Sequence, residues 1–127
     1  MPDEDLRRQI IAKTNLVFAG KADFRETYGE LIELTEKRLE GQRPASMELL
    51  VSYGALLSDY GRHPDALEIL RRVVLRSPTF YQAYYNLAVA MMNVDGHRPR
   101  AREYFEKALE FRRAEFVLEA YFDPQAH

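Results

Sequence analysis

The chain has 127 residues, 46% hydrophobic and 30% charged, with a net charge of -2 and no cysteine. That length and balance suit one domain with a continuous core, and they exclude disulfides and thiolate metal sites. The acidic opening Met1-Pro2-Asp3-Glu4-Asp5 is the reverse of a secretion signal, and no apolar run reaches membrane-spanning length, so a cytoplasmic protein without membrane contact is expected.

Asp3 is positioned to cap a first helix running to about Val17, with Leu6, Ile10 and Val17 on its buried side, and Gly20 breaks it. Asp23 and Glu26 have the spacing of a capping box. Phe24, Tyr28, Leu31, Leu34 and Leu39 then share one face of a helix that ends near Gly41. Residues 3–41 thus predict a helical hairpin, read either as a degenerate repeat or as a cap on the apolar side of the hairpin after it. Leu50, Tyr53, Gly54 and Leu57 fall at i, i+3, i+4 and i+7, one helical stripe in which the glycine lets a neighbouring helix come close. Gly61 supplies a left-handed helix end, Pro64 suits a first helical turn, and Ala66, Leu70, Val73 and Val74 continue the stripe on the next helix. Pro78 disfavours helix at Ser77 and separates this hairpin from its successor.

The next hairpin repeats the scheme. Tyr84, Leu87, Ala88 and Met91 form its first stripe, Gly96 and Pro99 its turn, and Ala101, Phe105, Ala108 and Leu109 its second stripe. Gly61-Arg62-His63-Pro64-Asp65-Ala66 and Gly96-His97-Arg98-Pro99-Arg100-Ala101 lie 35 residues apart. Seven residues separate Gly54 from Gly61 and eight separate Ala88 from Gly96, which predicts a longer turn around Asn93-Val94-Asp95-Gly96. No proline closes the second unit, so its last helix is expected to run through Arg112-Arg113 to about Tyr121, where Asp123-Pro124 stops it. Phe116, Val117, Leu118, Ala120, Tyr121 and Phe122 would then overhang the stack or fold back as a cap.

Self-similarity at this period marks a repeat protein, whose units bury their apolar faces on one another. The pattern of Leu50, Tyr53, Gly54, Leu57, Gly61, Ala66, Leu70, Val73 and Pro78, with its counterpart from Tyr84 to Ala108, resembles the tetratricopeptide repeat. The resemblance implies an all-α, right-handed stack of antiparallel helical hairpins with clear repeats at 47–80 and 81–114 and a helical extension at 115–122. It also implies that the first helix of each unit lines a concave groove. Register then assigns Glu48, Val51, Ser52, Ala55, Ser58 and Asp59 to that groove from the first unit, and Gln82, Tyr85, Asn86, Val89, Met92 and Asn93 from the second. Asn86 stands where peptide-binding members of the family carry an asparagine that bonds a ligand's main chain, a task suited to an amide that donates and accepts together. Members that clamp a C-terminal carboxylate use cations on successive helices, whereas Val51, Ser52 and Ala55 offer none.

Catalytic chemistry has little support. His63 and His97 occupy equivalent turns and His127 the terminus, without the paired spacing of metal ligands. Gly96-His97-Arg98-Pro99 lacks the strand context and glycine pattern of a phosphate loop. Glu26 with Glu30, and Glu33 with Glu36, read as a solvated helix face. Arg71, Arg72, Arg76, Arg98, Arg100, Arg102, Arg112 and Arg113 make the second helices locally basic, yet the overall acidic balance argues against nucleic acid. The expectation is a non-catalytic adaptor or scaffold, without cofactor or metal, that binds a protein or peptide. The alternative is self-assembly, as a homodimer, through Phe116, Tyr121 and Phe122.

Overall fold

A computed structural model of the chain describes residues 1–122, with side chains described as far as Ala114. Among the described residues there are six α-helices and no strand: α1 (Asp3–Phe18), α2 (Phe24–Leu39), α3 (Met47–Tyr60), α4 (His63–Arg76), α5 (Tyr81–Met92) and α6 (Ala101–Phe122), the last preceded by a 3₁₀ turn, Arg98–Arg100. Consecutive helices pack on one another in sequence order, giving a stack of helical hairpins. Helix α3 also touches α1 and α5 and is the most enclosed member, with Leu49, Val51, Tyr53, Leu56 and Leu57 all buried.

The expected punctuation operates as chemistry. Asp23 accepts a hydrogen bond from Glu26 N at 2.9 Å and starts α2, and Ser46 does the same for Leu49 N in α3. Helix α3 ends on Gly61, whose φ of 102° suits a residue without a Cβ, while Arg62 N returns to Leu57 O at 2.7 Å. Pro64 lies in the first turn of α4. In the second hairpin the connection is longer: α5 stops at Met92, and Asn93 to His97 precede the 3₁₀ turn that carries Pro99. Tyr84 ties the start of α5 to the inter-hairpin loop by donating its phenol proton to Pro78 O at 2.8 Å.

Small residues set how closely the helices approach. A Cβ on Gly54 would come within 2.7 Å of the Leu70 side chain, and Leu70 is itself fully buried. Ala66, Ala83, Ala88, Ala90 and Ala101 likewise have no exposed surface.

The first helix departs from expectation in one respect. Asp3 does not cap α1, whose flanking residue Pro2 makes no side-chain cap. Its carboxylate instead receives Arg38 Nε at 2.6 Å, Arg38 Nη2 at 3.1 Å and Ser46 N at 2.9 Å, with Arg43 nearby at 3.5 Å. Arg38 spends its remaining donors on Arg43 O and Pro44 O. One carboxylate therefore pins the start of α1 to the end of α2 and to the loop entering α3. Burial alone would raise the Asp3 pKa, but the bonds from Arg38 and Ser46 and the charges of Arg38 and Arg43 outweigh it and hold the carboxyl below its ordinary value.

Helix α6 has 22 residues against 12 in α5, so it is about 33 Å long beside a partner of about 18 Å and overhangs it. Its backbone is helical from Ala101 to Phe122.

These contacts generate two stability tests. Gly54→Ala gains helix propensity worth about 1 kcal/mol but forces a methyl into Leu70, an overpacking cost of about 1–3 kcal/mol. The expected net result is a Tm lowered by up to about 8 °C in a calorimetric melt, from a net cost of up to about 2 kcal/mol at roughly 4 °C per kcal/mol for a chain of this length. An unchanged or raised Tm would mean the helices can part. Because the folded Asp3 pKa lies below the unfolded one, its stabilisation is present above the ordinary carboxylate range and is lost as the pH falls through the folded value. Asp3→Asn should therefore melt below wild type at pH 7, by about 1–3 kcal/mol for a charge-assisted network, with the gap closing in acid.

Candidate functional site

An open groove of about 970 Å³ runs among helices α1, α3, α5 and α6. Helix α3 supplies its floor through Met47, Glu48, Val51, Ser52 and Ala55, a run that exposes one edge of an otherwise enclosed helix. Gln82 and Asn86 of α5 form one wall, and Ser77, Thr79 and Phe80 of the α4–α5 connection continue it. Arg7 and Ile11 close one end from α1; Phe111 and Ala114 of the overhanging α6 close the other. Phe111 is held there by packing on Tyr84, ring centroids 5.3 Å apart.

The surface is largely apolar, with the hydroxyls of Ser52, Ser77 and Thr79 and the amides of Gln82 and Asn86 set into it. Among the described residues its two charged members are Arg7, 3.3 Å from Glu4, and Glu48 on the α3 floor. Among the described residues no cluster of cations is gathered here that would recognise a carboxylate. Asn86 donates one amide proton to Gln82 O at 2.8 Å, one turn back along α5. That bond fixes the amide plane and leaves the Oδ1 lone pairs and a second N–H for another molecule. Both Asn86 and Gln82 are half-buried, so the contacts they make are formed away from bulk water.

The residues assigned to the groove from sequence do not all lie together. Ser52, Ala55, Gln82 and Asn86 meet in the groove, with Glu48 and Val51. Tyr85 and Met92 point away from it: Tyr85 sits edge-on to Phe105 at 5.8 Å, in a second hollow between α5 and α6, and Met92 lies beside Arg98 and Leu109. Val89 is half-buried, and its carbonyl accepts from Asn93 Nδ2 at 2.9 Å. Asp59 turns toward α2, where Tyr28 donates its phenol proton to the carboxylate at 3.4 Å. Burial and the Asp59 charge push the Tyr28 phenol up to about 12. Desolvation also raises the Asp59 pKa, against the opposing pull of the Tyr28 bond and of His63. Ser58 is buried rather than groove-facing, and its hydroxyl lies 3.2 Å from His63 Nδ1. The side chains of Phe116, Tyr121 and Phe122 lie outside the described residues.

Sequence register missed the contributions of α1, of the 77–80 connection and of α6. Arg7 and Ile11 each follow a buried residue, Leu6 and Ile10, by one position. That offset was the available sign that they face another side of α1. Phe111 carried no comparable signal, because its place depends on how far α6 runs past its partner.

Among the described residues no group of three His, Cys, Asp or Glu side chains is gathered as a metal site, and no helix is long and apolar enough to cross a membrane. No protein-family model matches the chain, and no solved structure matches it. The chain is 37% identical over 67 residues to the peroxisomal targeting signal receptor of Eremothecium gossypii. That stretch covers 53% of this chain and 12% of the receptor, so the two share a segment rather than a whole architecture.

Proposed function

We propose that the chain is a tetratricopeptide-repeat-type interaction module, non-catalytic and cytoplasmic, which holds a short segment of a partner protein in the groove between α1, α3, α5 and α6. The observation that carries this reading is the groove itself: an open hollow of about 970 Å³ lined by aliphatic, aromatic and amide groups. Apolar surface supplies the driving force for docking, and a few fixed polar groups set the ligand's orientation. Asn86 and Gln82 suit the N–H and C=O groups of an extended peptide, while Ile11, Val51, Ala55 and Phe80 suit its apolar side chains. The repeat pattern at 35 residues and the partial similarity to a targeting signal receptor support the same class of ligand, a short linear segment.

The near-neutral lining shapes the expected partner. Arg7 and Glu48 bring opposite charges to the lining, so the groove favours a segment of mixed apolar and polar side chains over a strongly charged one. Adaptor modules of this kind act by bringing the bound segment's parent protein to whatever the rest of the assembly carries, and they need no chemistry of their own.

Selection of binders from a random peptide display library tests this directly. Enriched peptides are expected to bind the wild-type chain, to lose binding to Ser52→Trp, which fills the groove, and to bind Asn86→Ala about 3–10-fold more weakly, as loss of one hydrogen bond worth about 0.5–1.5 kcal/mol requires. Both variants should keep wild-type helicity by circular dichroism. Peptides that bind Ser52→Trp as well as wild type, or a library that yields none, would overturn the groove assignment.

A further inference from the structure

The two similar hairpins give an internal comparison of what a neighbour covers. Val51 of α3 is 7% exposed, whereas its register counterpart Tyr85 of α5 is 54% exposed; Ser58 is 6% exposed and its counterpart Met92 is 44%. On the second helices, Leu70 is fully buried where Phe105 is half-buried, and Val74 packs on the core where Leu109 is 47% exposed. Helix α5 packs on both α3 and α4, so the first hairpin is sheltered by the start of the second. The matching side of α5 and α6 is the place where a further helix of the stack would lie. Two adjoining hollows mark it, of about 350 and 430 Å³, and they share Phe105 and Leu109.

The helix that covers the first hairpin shows what such a face accepts. Ala83, Leu87 and Ala90, at i, i+4 and i+7 of α5, are all fully buried in the common core. A small–large–small stripe lets the helix axis come close. Charge then narrows the choice of occupant. Arg98 and Arg102 border one hollow and Arg112 the other, and among the described lining residues the carboxylate is Glu106. Arg98 is fixed at the rim by donating from Nε to Met92 O at 3.1 Å. Arg102 pairs with Glu106 at 3.1 Å, but both side chains are largely in solvent, where such a pair is weak and exchangeable. A second copy of this chain laid face to face would set arginines against arginines, while glutamates flanking an apolar stripe would be drawn in.

We propose that this open α5/α6 face is a second docking surface, meeting the groove along Gln82 and Asn86 but centred on Phe105 and Leu109, which takes an acidic amphipathic α-helix of a partner protein as an added helix of the stack. The partner helix places its small–large–small stripe over Tyr85, Met92, Phe105 and Leu109 and its carboxylates toward Arg98, Arg102 and Arg112.

The test uses the full chain and a synthetic, fluorescently labelled helical peptide of about 16 residues, long enough to span α5. It carries alanine and leucine at i, i+4 and i+7 with glutamates on both flanks; a second version carries lysines instead. The glutamate peptide is expected to bind, to shift the amide resonances of Tyr85, Met92, Phe105 and Leu109, and to exceed the lysine version by about tenfold or more, as several close charge contacts imply. Leu109→Asp should abolish this binding with helicity intact, and Leu109→Ala, which keeps an apolar helix former if the aspartate disturbs folding, should weaken it. Ser52→Trp, which fills the groove, should leave it unchanged, so that failure of one surface is told apart from failure of the other. No binding by the glutamate peptide, equal binding by both peptides, or shifts confined elsewhere would overturn the proposal. So would a two-chain mass in light scattering that Leu109→Asp returns to one, because the face would then belong to a second copy.

Discussion

The close approach of α3 and α4 at Gly54 and Leu70 is the contact on which the remaining packing depends. With no Cβ at position 54, the Leu70 side chain fills the space where one would stand, and the two helices close on each other along their length. That spacing lets Ala66, fully buried, serve as a second point of close contact, and it draws α5 down onto both helices through Ala83 and Ala90. Packed interiors have little free volume to absorb a shift, so a change at this point is transmitted to the neighbouring helices. The groove floor belongs to α3, and its shape is therefore a consequence of how tightly the opposite side of the same helix is held.

The polar interactions do a different job. Asp3, Arg38 and the Ser46 N–H join three segments that apolar packing brings near one another but does not lock. Arg62 plays a comparable part at the other end of α3, bonding Asp65 at 2.9 Å and reaching Glu36 of α2 at 3.3 Å. These networks fix where α1 and α2 lie relative to α3. The position of α1 matters to function because Arg7 and Ile11 close the groove from that side.

Much of the hairpin architecture was legible because it is written in local chemistry. Gly61 needs a left-handed conformation, Pro64 a first helical turn, and Gly54, Ala66 and Ala101 mark close approaches; each is a property of a residue and its immediate neighbours. The Asp3 network was not legible, since its partners lie 35 and 43 residues away and an aspartate at a helix start reads equally well as a cap. The candidate groove was half legible. Ser52, Ala55, Gln82 and Asn86 converge there with Glu48 and the largely buried Val51, but Ser58 is enclosed because α3 has helices on several sides and little of it remains outward. Tyr85 and Met92 obey the opposite logic: they occupy the same register positions in a hairpin that nothing described covers. Helical register assigns a residue to a side of its helix, and the presence or absence of a neighbour decides whether that side is core, groove or open end.

The central claim is that the groove floored by α3 receives a short segment of another protein. It is tested most directly by mapping amide resonances of the isotopically labelled chain as a display-selected peptide is titrated in. Progressive shifts at Ser52, Ala55, Gln82 and Asn86, with neighbours on α1 and at Phe111, are the predicted result. Shifts that leave these residues untouched and gather on the outer helices instead would contradict the account.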